Sequence, residues 1–401
     1  MQKIKGYIQW HKMKKIKRTT YLDYAAATPL DADVLKKMHP FFYEEFGNPY
    51  SIHTMGMRAR EAILDARKKI AMVLGAKPNT IFFTSGGTES NNLAILGVTR
   101  AVLNDRKIKK PNIITTQFEH SSVREPLEIL KKEGFSITHI PVNKDGVLDI
   151  EFLRKNLRPE TVLMSIMYVN NEIGTIQPIK EIGSIIKKWR AKNKTAYPYF
   201  HTDASQAPRY LPILVNGLGV DLLTIDGAKI YGPKGVGALY KKEGVPLSPF
   251  MWGGKQENGL RPGTENVYGI VGLGHSFSQC LKRRKKDETK LIALRKYFIY
   301  EIQKAIPCAE VNGGKKTVSG IINIMFRGHD GERILTAFED RGIYVTTSSA
   351  CSTGRHGVSH VLRSLGRSVL EAKSSIRFSL GRETQKEDIL FTVNALKEIL
   401  N

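Results

Sequence analysis

Lys229 is the residue whose type and setting first indicate chemistry in this sequence. It ends the run DLLTIDGAK at residues 221–229, and the glycine- and proline-rich turn GPKGVG follows at residues 232–237. The apolar part of the run predicts a buried strand, and burial lowers the pKa of an amine, which favours Schiff-base formation with a carbonyl group. Taken alone, a lysine at a strand end is more often a surface residue, so its role depends on its surroundings.

A second segment, TSGGTESN at residues 84–91, has glycines and hydroxyl groups where a strand passes into a helix. The first N–H groups of a helix are free, and they lie at the positive end of the helix dipole. Gly87 and Thr88 are therefore candidates for binding a phosphate group. The same pattern also fits a helix start that is simply capped.

Two more polar residues follow apolar runs. Asp203 lies in FHTDASQ at residues 200–206, and His120 lies in FEHS at residues 118–121. A carboxylate beside a pyridine nitrogen keeps the ring protonated, and a histidine can stack on a planar ring and move protons. Taken alone, Asp203 could equally be an ordinary turn residue, and His120 could be a histidine with a purely structural role.

The elements that must position these residues alternate along the first two thirds of the chain. Helices are predicted at residues 55–74, 124–132, 150–157 and 179–192, with others after Asp31 and Gly87. Strands are predicted at residues 80–84, 112–115, 136–141, 161–169, 197–201 and 221–225. This alternation predicts an α/β fold with a mainly parallel sheet that is covered on both faces.

The pattern changes after about Gly274. A basic helical stretch at residues 279–306 leads into short strands at 320–325, 344–347 and 374–380, with helices between them. Short strands mixed with helices predict a smaller α+β domain.

The 401 residues carry a net charge of +24, which attracts phosphate-rich partners in general. The charge is spread along the chain and no RNA-binding motif is present, so we expect a broadly basic surface without direct nucleic-acid binding. No stretch of ~18 apolar residues occurs, which predicts no membrane span. The first twelve residues fit a tail or an over-extended gene start.

The three cysteines, Cys280, Cys308 and Cys351, have no paired spacing. This pattern argues against disulfides and against a metal site, and it favours a reducing, cytoplasmic compartment.

Together with further motifs, these segments resemble the NifS-type cysteine desulfurases, which are fold-type-I pyridoxal 5'-phosphate (PLP) enzymes of the class-V aminotransferase group. The resemblance runs from Tyr21 to about Ile389. The other matching segments are FGNPYS (46–51), VNNEIG (169–174), RPGTEN (261–266), SSACS (348–352) and SIRFSLGR (375–382). The resemblance implies a large PLP-binding α/β domain at residues 31–274. A small α+β domain would combine residues 21–30 with 275–401, after a basic tail at 1–20.

The resemblance also implies how PLP is held. Lys229 would bind the cofactor covalently, and Asp203 would pair with its pyridine nitrogen. The remaining contacts are Gln206 with the ring hydroxyl, His120 stacked on the ring, Asn171 with cofactor or substrate, Gly87 and Thr88 with the phosphate, and Thr264 from the other subunit of a homodimer.

For the reaction, the resemblance implies that Arg377 binds the substrate carboxylate and that Lys229 or His120 moves protons. Cys351 lies in SSACSTGRHG at residues 348–357, a polar, glycine-containing run typical of a mobile loop. Its thiolate would take sulfur from L-cysteine, leaving L-alanine, and would pass the persulfide to an acceptor protein for iron–sulfur cluster assembly or tRNA thiolation. Cys280 and Cys308 lack such a setting, and we expect them to be inert.

The sequence departs from the family pattern just before the lysine, where Ser-x-His is usual and Asp226 and Ala228 stand here. A carboxylate near a phosphate dianion is unfavourable unless it points away or pairs with a cation. A lost charged hydrogen bond costs ~1–3 kcal/mol. Three explanations are open. Other donors compensate for the missing histidine, or the Asp226 carboxylate is turned away from the phosphate, or the protein binds PLP weakly and its function has drifted. We favour a working enzyme; the alternatives are another class-V PLP activity, such as a selenocysteine lyase or an aminotransferase, and a non-catalytic protein.

Overall fold

A computed structural model describes residues 18–103, 110–347 and 358–400. Its central feature is a seven-stranded sheet with the order β2-β8-β7-β6-β5-β3-β4. These strands are β2 (Ile81–Thr84), β3 (Asn112–Thr116), β4 (Ser136–Ile140), β5 (Thr161–Ser165), β6 (Tyr199–Asp203), β7 (Leu222–Asp226) and β8 (Gly237–Lys241). Strands β4, β3, β5, β6 and β7 pair in parallel, whereas β8 is antiparallel to both of its neighbours. The predicted α/β fold with a mainly parallel sheet is confirmed.

Helices connect and cover these strands. They are α1 (Ala32–Met38), α2 (Pro40–Tyr43), α3 (Thr54–Leu74), α4 (Gly87–Val102), α5 (Ser121–Lys132), α6 (Ile150–Asn156), α7 (Ile179–Asn193), α8 (Val215–Leu218) and α9 (Val267–Ala305). Every residue of β3 and β5 is buried, as expected for parallel strands covered on both faces. Helices α3 and α9 pack closely at Gly274, which has no side chain. A Cβ atom there would lie only 2.7 Å from Cα of Ala66.

A second, antiparallel sheet of four strands follows, with the order β12-β13-β10-β9. The elements that follow α9 are β9 (Ala309–Asn312), β10 (Ile321–Phe326), α10 (Gly331–Glu339), β11 (Ile343–Tyr344), β12 (Thr346–Thr347), α11 (His360–Ser364), α12 (Val369–Lys373), β13 (Ser375–Ser379) and α13 (Lys386–Leu400). Near the N-terminus, β1 (Thr20–Tyr21) pairs in parallel with β11. This pairing supports the proposed grouping of residues 21–30 with the C-terminal part, which stays a prediction, as do the other domain bounds.

Several predicted boundaries differ from the structure. The basic helix expected at residues 279–306 begins at Val267, because Asn266 caps it by accepting a hydrogen bond from the Gly269 N–H. The strand expected at 344–347 is divided between two sheets as β11 and β12. Residues 1–17 of the predicted tail lie outside the described residues. In the part of the chain described here, no helix combines the length and apolar character needed to cross a membrane.

Candidate functional site

A polar cavity lies where the carboxyl ends of the parallel strands meet, the usual place for a ligand in such sheets. A polar residue at the end of β3, β6 or β7, or in the turn that follows the strand, lines this cavity in each case. Eight of the predicted site residues line this one cavity: Gly87, Thr88, His120, Asn171, Asp203, Gln206, Lys229 and Arg377. Two others do not. Thr264, expected to act on the other subunit, is absent from the cavity lining of its own chain, and Cys351 lies outside the described residues.

Lys229 reaches the cavity from a short 3-10 turn, Gly227–Lys229, that follows β7. The turn fits tightly, because a Cβ atom on Gly227 would lie 2.7 Å from the carbonyl oxygen of Pro233. The Lys229 Nζ donates a hydrogen bond to the carbonyl oxygen of Ala26. The amine is thereby directed at the segment after β1, and this segment forms one wall of the cavity.

Asp203 ends β6, and its carboxylate is almost fully buried. Its Oδ2 accepts a hydrogen bond of 2.8 Å from the Asn91 side chain. Its Oδ1 accepts bonds from the Ser205 N–H at 2.9 Å and from the Ser205 hydroxyl at 2.6 Å. Hydrogen bonds to a carboxylate are strong, so these donors fix the orientation of Asp203.

His120 caps the start of α5 by accepting a hydrogen bond on Nδ1 from the Ser122 N–H, at 3.2 Å. Burial lowers its pKa, while the charge of Asp203 raises it and that of Lys229 lowers it again. The imidazole is therefore neutral at neutral pH. Because Nδ1 accepts a bond, the ring proton resides on Nε2.

Arg377 lies in β13, far along the chain from the other residues. Its guanidinium pairs with Asp23 at 2.7 Å and donates to the carbonyl oxygen of Asn171 at 3.0 Å. Among the described residues, its buried Nε has no hydrogen-bond partner. An unsatisfied buried donor is costly, so this end of the cavity is suited to an anionic ligand.

Gln206 also has a buried atom without a hydrogen-bond partner among the described residues, in this case an acceptor. Its Nε2 donates to the carbonyl oxygen of Ala25 at 2.8 Å, while its buried Oε1 has no partner within the described ranges. A ligand hydroxyl would satisfy this oxygen.

The start of α4 forms another end of the cavity. Its N-cap, Gly86, has φ +154°, which residues with a side chain rarely adopt, and offers no side-chain cap. The first N–H groups of the helix therefore remain for another acceptor. Gly87 fits closely, since a Cβ atom there would lie 3.0 Å from Oγ of Ser205.

The sequence reasoning assigned no role to several residues that shape this cavity. Asn91 and Asp23 contact Asp203 and Arg377, which lie far from them in sequence. Ser205 contacts Asp203 only two positions away, inside the quoted run FHTDASQ. Buried Glu119 was also missed; burial raises its pKa to about 8, opposed by hydrogen bonds from Thr116 and the Met167 N–H. Its carbonyl oxygen lies 2.9 Å from Nε2 of His360.

The chain segment after the Cys351 motif is anchored beside this cavity. The Ser359 hydroxyl donates to Oε2 of Glu172 at 2.6 Å, and Glu172 neighbours Asn171, which lines the cavity. The described segment that follows the motif is therefore tied to the site.

Comparison with known proteins extends these observations to the whole chain. Residues 20–391 match the aminotransferase class-V family. The cysteine desulfurase IscS of Dictyoglomus turgidum is 46% identical over 386 residues, covering 96% of this chain and 95% of that protein. A solved NifS-like protein is similar with a TM-score of 0.88 at 34% identity, covering 96% of this chain and 99% of that one. SspA, solved in complex with cysteine, has a TM-score of 0.79 at 34% identity, covering 90% and 99%.

These similarities span both sheets and the segments that line the cavity, and they confirm the family predicted from the motifs. This chain therefore belongs to the class-V aminotransferase family and, within it, to the cysteine desulfurases.

Proposed function

We propose that this chain uses PLP to remove sulfur from L-cysteine, giving L-alanine and a persulfide on Cys351. The observation that carries the proposal is the convergence of Lys229, Asp203, Gln206 and Arg377 on one cavity. An amine, a carboxylate, an amide and a guanidinium in one cavity suit a cofactor with an aldehyde, a ring nitrogen and a hydroxyl, together with an amino-acid substrate.

The residues present fit PLP by their own chemistry. The unsatisfied Oε1 of Gln206 suits the ring hydroxyl, and the carboxylate of Asp203 suits a protonated ring nitrogen. The free N–H groups at Gly87 and Thr88 suit a phosphate. Lys229 supplies the amine for the aldehyde, and His120 supplies a neutral ring for stacking. When bound, PLP withdraws electrons from the substrate and so weakens its Cα–H and carbon–sulfur bonds.

The protein residues then divide the remaining tasks. Asp203 would hold a proton on the ring nitrogen, because the donors Asn91 and Ser205 keep its carboxylate in place. Lys229 Nζ moves the substrate α-proton, and neutral His120 is a second candidate for this transfer. Arg377 binds the substrate carboxylate through its unsatisfied Nε, with Asn171 beside it.

Cys351 receives the sulfur. Its thiolate attacks the substrate sulfur, an S–S bond forms as the carbon–sulfur bond breaks, and the electron pair of that bond stays with the carbon. Protonation of the carbon fragment gives alanine. The persulfide then passes to an acceptor protein for iron–sulfur cluster assembly or tRNA thiolation, and the cytoplasm would keep this thiol reduced.

We also propose a homodimer, in which Thr264 serves the partner's site. The support is the exposure of four aromatic residues, Phe42, Phe46, Trp252 and Tyr268, of which Phe42 and Tyr268 stack with ring centroids 4.5 Å apart. Thr264 lies in the chain segment between the last two of these aromatic residues. A mass of about twice 45.0 kDa by light scattering supports this assembly, and a monomer contradicts it.

The reaction is tested by the visible spectrum of the purified protein and by alanine and sulfide release from L-cysteine. With PLP added, we expect PLP absorbance in wild type and Cys351→Ala, with sulfur mobilisation lost in the variant. Cys308→Ala, a matched thiol deletion at a partly buried position, retains the activity. Full activity of Cys351→Ala favours a selenocysteine lyase or aminotransferase, and no absorbance with added PLP favours a non-catalytic protein.

A further inference from the structure

Beside the start of α4, the cavity wall carries a carboxylate that the proposed reaction does not use. Asp226 is the last residue of β7 and lines the cavity together with Gly87 and Thr88. A Cβ atom on Gly87 would lie 3.3 Å from Oδ2 of Asp226. The carboxylate thus lies against the helix turn that suits a phosphate.

Local contacts hold Asp226 in this position. Its Oδ1 accepts a hydrogen bond of 2.9 Å from the Ala228 N–H, which caps the turn leading to Lys229. Its backbone pairs with Gly237 of β8, where an added Cβ would lie 2.7 Å from Cα of Gly86. The strand end and the helix start are therefore packed together, and Asp226 is not turned away from the cavity.

Ser205 and Ala228, which lie next to this carboxylate or the helix start, do not offset its charge. The Ser205 hydroxyl has a single proton, and it donates that proton to Asp203 at 2.6 Å. Ala228 has no polar side-chain atom. Within its own chain, a phosphate at this turn thus relies on backbone N–H groups, the helix dipole and the Thr88 hydroxyl, beside the contact proposed for Thr264 of the other subunit.

We propose that Asp226 sets the affinity of this chain for PLP by lowering the affinity of the α4 start for the phosphate group. The inference rests on the proposed use of PLP. A phosphate ester carries between one and two negative charges at neutral pH, and a carboxylate within a few ångströms repels it. PLP occupancy at Lys229 then depends on the PLP concentration, so the chain exchanges its cofactor instead of retaining it.

The test separates the charge of Asp226 from its capping role. Asp226→Asn removes the charge but keeps an oxygen that accepts from the Ala228 N–H. Full-length apoprotein is titrated with PLP and, separately, with pyridoxal, which lacks the phosphate, and the visible absorbance of bound aldehyde is followed. We expect the Kd for PLP to fall at least about tenfold, or about 1.4 kcal/mol, while the Kd for pyridoxal changes less than about twofold.

Asp33→Asn makes the same chemical change on the exposed surface of α1 and should leave both Kd values unaltered. Asp226→Ser, whose hydroxyl can also cap the turn, provides a second variant if the first fails to fold. An unchanged or higher Kd for PLP, or an equal gain for PLP and pyridoxal, overturns the inference. If wild type binds PLP no better than Lys229→Ala does, it is the proposed function that fails.

Discussion

The Asn91 amide of helix α4 donates a hydrogen bond of 2.8 Å to the carboxylate of Asp203 at the end of strand β6. The same amide nitrogen donates to the Ser122 hydroxyl, also at 2.8 Å, at the start of α5. One side chain therefore links the proposed ring-nitrogen partner to two helices that border the cavity. This link makes Asn91 a positioning residue.

Replacing Asn91 by alanine should destabilise the protein and misplace Asp203. Loss of a buried hydrogen bond to a charged group lowers the free energy of unfolding by about 1.5–3 kcal/mol. Urea unfolding of the apoprotein measures this change. Asn92→Ala is the matched control, because Asn92 is more exposed and donates only to backbone oxygens, among them that of Thr88 at 2.9 Å. Equal effects of the two substitutions would refute the positioning role.

Arg377→Lys should raise the KM for L-cysteine at least about tenfold, because an ammonium group cannot make the bidentate contact of a guanidinium. PLP absorbance should persist, since Arg377 contacts Asp23 and Asn171 and not the residues proposed for the phosphate or ring nitrogen. Steady-state kinetics with varied cysteine measure the change. Arg382→Lys alters another buried arginine, paired with Asp31 and Asp287, and should leave KM unchanged. A normal KM for Arg377→Lys would exclude Arg377 as the carboxylate ligand.

Acid should destabilise the protein partly through His201. This histidine is fully buried between Ser165 and Thr224, and burial lowers its pKa below the ordinary value. The unfolded chain then binds a proton below about pH 6.5 that the folded protein does not, so stability falls as the pH falls. Between about pH 7 and about pH 5.5, the loss should be about 1.2 kcal/mol for this residue.

Urea unfolding of wild type and His201→Gln at both pH values measures the contribution, because glutamine does not titrate. The variant should lose less stability on acidification than wild type. Identical pH dependence in the two proteins would show that His201 does not contribute.

The residues whose positions could be predicted from the sequence are those that local order determines. Lys229, Asp203 and Gly87 each follow an apolar run, and parallel strands bring their carboxyl ends to one edge of a sheet. The positions of these residues follow from hydrophobic pattern and connectivity alone.

Other parts depend on contacts that no local pattern encodes. Arg377 reaches Asp23 across 354 positions of sequence, so its place in the cavity was available only from the family resemblance. Strand β8 was not predicted, because its short run GALYK follows a glycine-rich turn directly and pairs antiparallel with both β2 and β7. The orientation of Asp226 likewise follows from packing between β8 and the start of α4.

The most direct test of the account is to identify the lysine that binds the PLP aldehyde. Borohydride reduction of PLP-loaded protein, followed by peptide mass mapping, locates the residue that carries the pyridoxyl group. We predict a single major modification at Lys229, and its loss in Lys229→Ala. A pyridoxyl group on another lysine, with Lys229 unmodified, would contradict the account.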